Sequence, residues 1–86
     1  MEVPEMVTAY VMIKANTANV KQLSDAIHGV DAVESCHIVA GDVDLIAKLT
    51  ADNPDGILEV VGEELRGLEG VEETQTYLTM SEPAAT

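Results

Sequence analysis

The sequence predicts a single α+β domain in which a four-stranded antiparallel sheet carries two helices on one face. Three observations predict this fold. Apolar and polar residues alternate near the N-terminus, as they do in a half-buried strand. Apolar residues recur at intervals of three and four in two later segments, as they do in amphipathic helices. Segment 67–72 also repeats segment 29–34 at an offset of 38 residues, from Gly29 to Gly67, which indicates two similar halves.

The first half consists of a strand followed by a helix. The strand is predicted over Met6–Lys14, and its side toward the helices carries Val7, Ala9, Val11 and Ile13. The helix is predicted to begin after Thr17, its expected N-cap, and to stop at Gly29. Its apolar face comprises Val20, Leu23 and Ile27.

The second half begins with two strands joined by a turn at Gly41. The strands are predicted over residues 33–40 and 44–51, and the segment DNPDG, residues 52–56, is expected to break the chain. A second helix should bury Ile57, Leu58, Val61 and Leu65. A last strand over residues 72–80 completes the order β-α-β-β-α-β, which is that of a ferredoxin-like sandwich.

The predicted sheet has a second face that the helices do not cover. That face is amphipathic and carries Tyr10, Met12, Ile46 and Lys48. A patch of this kind is large for a chain of 86 residues, so it favours a homodimer formed sheet to sheet. A monomer with scattered exposed apolar residues is the alternative.

Composition sets the domain limits and the compartment. Residues 1–5 and 81–86 are rich in proline, small and charged residues and are expected to be loose ends around one domain, residues 6–80. No leader and no apolar run long enough to cross a membrane is apparent. The single cysteine, Cys36, cannot form an internal disulfide, which is compatible with a reducing cytoplasm.

The net charge of −12 results from sixteen acidic and four basic residues. Such a surface repels phosphate backbones, so direct binding to nucleic acid is disfavoured. The charge has two interpretations, general solubility or adaptation of a halophilic protein to a salt-rich cytoplasm. Neither interpretation identifies a molecular function.

The residues that commonly carry catalysis are few. Cys36 and His37 are adjacent in a strand and therefore point to opposite faces, and the only arginine, Arg66, ends the second helix. Asp42 and Asp44 lack the further ligands of a calcium loop. We therefore predict no enzymatic activity, no metal site and no cofactor.

The turn AGDVDLI, residues 40–46, is the most informative stretch. Gly41 is expected to supply backbone freedom, and either Asp42 or Asp44 can accept a hydrogen bond from the N–H groups of the turn. The other carboxylate is then available. A free carboxylate beside exposed amides is suited to a free amino acid, because it can accept from the α-ammonium while N–H groups donate to the α-carboxylate.

Two stretches, ESCHIVAGDVDLIAKL and GLEGVEETQTYLTM, carry a resemblance to a known family. They resemble the C-terminal effector-binding domain of the Lrp/AsnC transcription regulators, in which a Gly-Asp-aromatic-Asp turn, a Leu-Pro-Gly-Val loop and a Thr-x-Thr strand follow in order. The resemblance covers Val7–Met80. The helix-turn-helix half of that family is absent here, Val43 replaces the usual aromatic residue, and Gly70 is expected at the position of the usual proline.

The resemblance implies a stand-alone effector domain that binds a small amino acid where subunits meet. By position, one subunit would contribute Gly41, Asp42 and Asp44, with Asp44 holding the ammonium. The last strand of a neighbour would contribute Thr76, Tyr77, Leu78 and Thr79. It also implies dimers that gather into octamers or other rings, and a full-length regulator of the family as a partner. A pure assembly module with an unused pocket is the alternative.

Overall fold

The computed structural model describes residues 6–79 of the chain. The elements are β1 (Val7–Ala15), α1 (Val20–His28), β2 (Val33–Ile38), β3 (Leu45–Ala51), α2 (Pro54–Glu59), a π-helical segment (Val60–Leu65) and β4 (Val71–Leu78). The predicted order β-α-β-β-α-β is confirmed. The expected loose ends, residues 1–5 and 81–86, and Met80 lie outside the described residues.

The four strands form one antiparallel sheet in the order β2-β3-β1-β4. β1 is therefore hydrogen-bonded on both sides. Tyr10 lies opposite Lys48 of β3 and Tyr77 of β4, and Lys14 lies opposite Glu73 of β4. This is the antiparallel ferredoxin-like sandwich that the sequence predicts, with β2 and β4 at the edges of the sheet.

The core lies between the sheet and the helices, as the alternation predicts. The inner faces of the two central strands are fully buried and carry Ala9, Val11, Ile13, Leu45, Ala47 and Leu49. The helices cover them with Leu23, Ile27, Ile57, Val61 and Leu65. On the other side of β1, Tyr10 is exposed and Met12 half-buried, so the outer face is amphipathic as expected.

The start of α1 differs from the prediction. Asn19, not Thr17, is the N-cap, because its Oδ1 accepts a hydrogen bond from the N–H of Gln22 at 3.2 Å. Thr17 acts one step earlier, where its Oγ1 accepts from the N–H of Asn19 at 3.0 Å. Gly29 ends the helix as predicted.

The second helix begins earlier than predicted. Only Asp52 and Asn53 of the segment DNPDG precede the helix. Asn53 caps α2, because its Oδ1 accepts a hydrogen bond from the N–H of Gly56 at 2.8 Å. Pro54 fits the first helical position, where no N–H is needed. The prediction that Leu58 is buried is also wrong. The inward face runs through Ile57, and Leu58 lies about 100° further around the helix axis, where 57% of it is exposed.

Gly70 has the only positive φ among residues 6–79, at 100°. Proline cannot adopt this angle, so the expectation that Gly70 stands at the family's proline position is wrong. It corresponds to the glycine of the Leu-Pro-Gly-Val loop, and Glu69 to the proline. The carbonyl of Gly70 also accepts a hydrogen bond from the N–H of Asn16 at 2.8 Å, which ties the loop before β4 to the end of β1.

We expect Gly70→Ala to destabilise the domain by about 1–3 kcal/mol, because a left-handed backbone is strained for alanine. An added Cβ would also lie 3.0 Å from Cγ2 of Thr17. Gly62→Ala is the matched control, since a Cβ at this helical position meets nothing within 4 Å, and it should stabilise by roughly 0.5–1 kcal/mol. Urea unfolding measures both, and equal effects would contradict the assignment.

Candidate functional site

Asp44 fastens the turn between β2 and β3 to the end of β1. Its backbone N–H donates to the carbonyl of Ile13 at 3.0 Å, and its own carbonyl accepts from Val39 at 2.9 Å. Its side-chain Oδ2 accepts from the N–H of Ala15 at 2.8 Å. The register of β1 and β4 shifts between Lys14 and Ala15, so the carboxylate satisfies an N–H group where the sheet pairing becomes irregular.

Asp42 has the opposite environment. It is exposed, and within residues 6–79 its side chain makes no hydrogen bond or ion pair. The sequence predicts that one of these two carboxylates is bonded within the fold and that the other is available to a ligand. Within residues 6–79, Asp44 is the bonded carboxylate and Asp42 is the free one. Gly41 has open space around it and no left-handed φ, so the turn does not use the conformational freedom expected of a glycine there.

A cavity of about 160 Å³ lies beside this turn, and we call it the turn pocket. β1, the turn and the first part of β4 each contribute to its wall. The lining residues are Met12, Lys14, Asp42, Val43, Glu73, Thr74 and Gln75. The strand register puts most of them on the outer face of the sheet, away from the helices.

The turn pocket combines both signs of charge with an apolar wall. Lys14 supplies an ammonium group, Asp42 and Glu73 supply carboxylates, and the side chains of Met12 and Val43 are apolar. Within residues 6–79 the ion pairs are Lys21 with Asp25 and Lys48 with Glu34, so Lys14 is not paired there. Such a pocket can bind both ends of a zwitterion.

Sequence reasoning missed Lys14 and Glu73 as candidate site residues. The alternation of β1 already placed Lys14 on the outer face, and the predicted fold makes β4 a neighbour of β1. The residue opposite Lys14 depends on the register and on the irregularity at Ala15, however, and neither can be obtained from spacing alone.

The four residues predicted on the last strand lie away from the turn within one subunit. Thr76, Tyr77 and Leu78 pair with Val11, Tyr10 and Ala9 of β1. Thr79 donates its N–H to the carbonyl of Thr8 at 2.9 Å, while the turn contacts the other end of β1. Of the three residues that pair with β1, Tyr77 shares the outer face with Tyr10, whereas Thr76 and Leu78 lie opposite the buried Val11 and Ala9. A site that contains both sets therefore requires the last strand of another subunit.

A larger cavity of about 470 Å³ lies at the start of α1, between that helix and the loop before β4. Three of its polar side chains already make hydrogen bonds, those of Thr17, Asn19 and Gln22. Besides the bonds that form the cap of α1, the Nδ2 of Asn19 donates to Oε1 of Gln22 at 2.9 Å. This cavity therefore offers fewer free polar groups to a ligand than the turn pocket does.

Cys36 and His37 lie on opposite faces of β2, as predicted. Cys36 is buried against α1, where the Ser24 hydroxyl donates to its Sγ at 3.8 Å, and His37 is exposed. Burial raises the pKa of the Cys36 thiol, and the Ser24 hydrogen bond opposes that shift. In the described part of the chain, no three His, Cys, Asp or Glu side chains are grouped as a metal would require.

The outer sheet face beyond the turn pocket carries aromatic and aliphatic side chains. Tyr10 and Tyr77 form a cross-strand pair that is 38% and 52% exposed, and Ile46 on the same face is half-buried. Beside them, Nζ of Lys48 lies 3.1 Å from Glu34, and this hydrogen bond raises the pKa of Lys48. Among residues 6–79, no helix is both long enough and apolar enough to cross a membrane.

The family model of the Lrp/AsnC ligand binding domain matches residues 8–86. This chain belongs to the Lrp/AsnC family. The leucine-responsive regulatory proteins of Klebsiella pneumoniae and Escherichia coli K12 are each 32% identical to it over 62 residues. The aligned part covers 72% of this chain and 38% of each relative, so the match spans well under half the length of these regulators.

Solved structures show the same fold. TTHA0845 from Thermus thermophilus is 30% identical with a TM-score of 0.85, and the match covers 92% of this chain and 99% of that protein. E. coli AsnC is 15% identical with a TM-score of 0.84, and the match covers 93% of this chain and 54% of that protein. The regulator NMB0573 of Neisseria meningitidis, solved as a complex with L-Met, is 17% identical with a TM-score of 0.81. That match covers 93% of this chain and 53% of the regulator.

The two turn carboxylates should differ in their effect on stability. Asp44→Ala removes the acceptor for the Ala15 N–H, and we expect a loss of about 1–3 kcal/mol. Asp44→Asn keeps an oxygen at this position and should lose less, whereas the exposed Asp42→Asn should change stability by less than about 0.5 kcal/mol. Thermal unfolding of the three variants measures this order, and a larger effect at Asp42 would refute it.

Proposed function

We propose that this domain is an amino-acid sensor that binds a small amino acid in the turn pocket, at a site completed by a neighbouring subunit. The observation that carries the proposal is the free Asp42 carboxylate facing the same cavity as the unpaired Lys14 ammonium. Two opposite charges beside an apolar wall suit a molecule that carries an ammonium, a carboxylate and an aliphatic side chain.

Each group of the pocket then has a role. Lys14 donates to the α-carboxylate, and Asp42 accepts from the α-ammonium. Asp44 holds the turn in place through its bond to Ala15, and Gly41 leaves the approach open. This assignment gives Asp42 the role that the family resemblance gave to Asp44, because the hydrogen bond of Asp44 is already made.

A neighbouring subunit supplies the other wall. Thr76, Tyr77, Leu78 and Thr79 of that subunit form the strand side of the site, and the pocket opens on the outer sheet face, where a neighbour can approach. The L-Met complex of the Neisseria regulator supports an amino acid as the class of effector. It is a related fold, so methionine itself is not assigned to this chain.

The response to the ligand passes through assembly. A ligand that contacts two subunits binds best when both are in place, so it shifts the population toward that assembly. We propose homodimers that join into octamers or another ring, and a full-length Lrp/AsnC regulator as the partner through which transcription is affected. The net charge of −12 supports an indirect effect rather than contact with DNA by this domain.

Titration calorimetry with the twenty amino acids, at low and high salt, tests the proposal. At least one amino acid should bind, and light scattering should show a change of mass when it is added. Asp42→Asn should weaken binding about tenfold or more without loss of stability. Absence of binding heat with every amino acid at both salt concentrations would refute sensing.

A second candidate is an assembly module of the same fold whose pocket is not used. The exposed Tyr10 and Tyr77 on the outer face favour it, since they offer a surface for a second copy irrespective of any ligand. It differs from the first candidate in one respect. Its state of assembly should be the same with and without amino acids, and Asp42→Asn should not alter it.

Both candidates place the sheet face in a dimer, and this part can be tested alone. Tyr10→Lys puts a charge into the centre of the outer face, and we expect the mass in light scattering to fall to that of a monomer. Leu58→Lys is the matched control, because Leu58 is 57% exposed on the helix side, and its mass should remain at least dimeric. A dimeric Tyr10→Lys protein would contradict pairing through the sheet.

A further inference from the structure

The charges of the turn pocket are unequal, and this inequality points to a class of ligand. The inference rests on the proposed function, in which an amino acid binds there. The pocket holds one ammonium, that of Lys14, and two carboxylates, those of Asp42 and Glu73. Its local charge is therefore −1, within a domain whose net charge is −12.

A neutral amino acid leaves one of these charges without a partner. Its carboxylate would be bound by Lys14 and its α-ammonium by Asp42. Glu73, opposite Lys14 across the strand pair, would then lose water on closure of the site by a neighbouring subunit and gain no counter-charge. Burial of an unpaired carboxylate costs free energy. A neutral ligand therefore binds less favourably than one that also supplies a positive charge to Glu73.

An acidic amino acid fits less well still. Its side-chain carboxylate would lie beside Glu73, and Asp44 adds a further negative charge within the same turn. Like charges at short range repel in a medium of reduced dielectric constant, and the field of the whole acidic domain acts in the same direction.

We propose that the turn pocket selects a basic amino acid, with Lys14 on its α-carboxylate, Asp42 on its α-ammonium and Glu73 on its side-chain cation. In this proposal Met12 and Val43, which line the same pocket, contact the aliphatic stem of the ligand. A long cationic side chain buries its methylene groups along apolar surface while its charged end reaches a polar partner. Val43 in place of an aromatic ring leaves room for that stem.

The test compares three ligands of similar size on the same protein. L-Lysine carries the second ammonium, L-norleucine has the same stem without it, and L-glutamate carries a carboxylate instead. Titration calorimetry at fixed ionic strength and neutral pH should show L-lysine binding at least about tenfold more tightly than L-norleucine, with L-glutamate weaker than both.

Two variants assign the selectivity to Glu73. Glu73→Gln should bring the affinities for L-lysine and L-norleucine to within about threefold of each other, by weakening L-lysine alone. Glu72→Gln is the matched control, because it removes the same charge from an exposed neighbour that does not line the pocket, and it should leave the preference unchanged. Asp42→Asn should weaken both ligands alike. Circular dichroism verifies that each variant is folded.

The outcomes separate this inference from the proposed function. If L-norleucine binds as tightly as L-lysine, the inference is wrong and the amino-acid sensor stands. If Glu73→Gln and Glu72→Gln reduce the affinity for L-lysine equally, only the overall charge matters and Glu73 has no specific role. If no amino acid binds, the proposed function fails and the inference fails with it.

Discussion

β1 is hydrogen-bonded to a neighbouring strand on both sides, and this pairing positions the core, the outer face and the turn. Because β3 and β4 fix its backbone, β1 has no freedom to rotate, and its alternate side chains are committed to two different tasks. Ala9, Val11 and Ile13 are fully buried under the helices. Tyr10, Met12 and Lys14 are turned outward, where they form the proposed dimer surface and one wall of the turn pocket.

The end of β1 also determines the position of the turn. Asp44 binds the chain there through one backbone hydrogen bond, to Ile13, and one side-chain hydrogen bond, to Ala15, so the turn is held against Lys14 and the start of β4. Asp42 is two residues away and makes none of these bonds. Asp42, the carboxylate proposed to bind the ligand, can lie this close to the structural carboxylate of Asp44 because Asp44 has its partner within the fold, whereas Asp42 has none within residues 6–79.

In the proposed function, the pocket serves regulation because one subunit does not enclose it. The position of Thr76–Thr79, away from the turn within one subunit, would make ligand binding depend on another subunit. Positive charge is also scarce in this chain. The chain has four basic residues, and Lys14, which is not paired within residues 6–79, lines a pocket with two carboxylates. In the proposed function, this arrangement makes the charge of the ligand the main source of discrimination.

Periods of two and of 3.6 residues in the sequence are enough to predict the order of the elements, the two faces of the sheet and the core of β1 and β3. The sequence also confined the candidate site to the turn at Gly41. Tertiary structure decided which aspartate is free, since the N–H that Asp44 accepts from belongs to Ala15, 29 residues away. It likewise decided that Glu73 faces Lys14, that Asn19 caps α1 and that Leu58 is exposed. Periodicity predicts which side of an element a residue occupies, but the donors and acceptors that meet there are fixed only when the strands take their register.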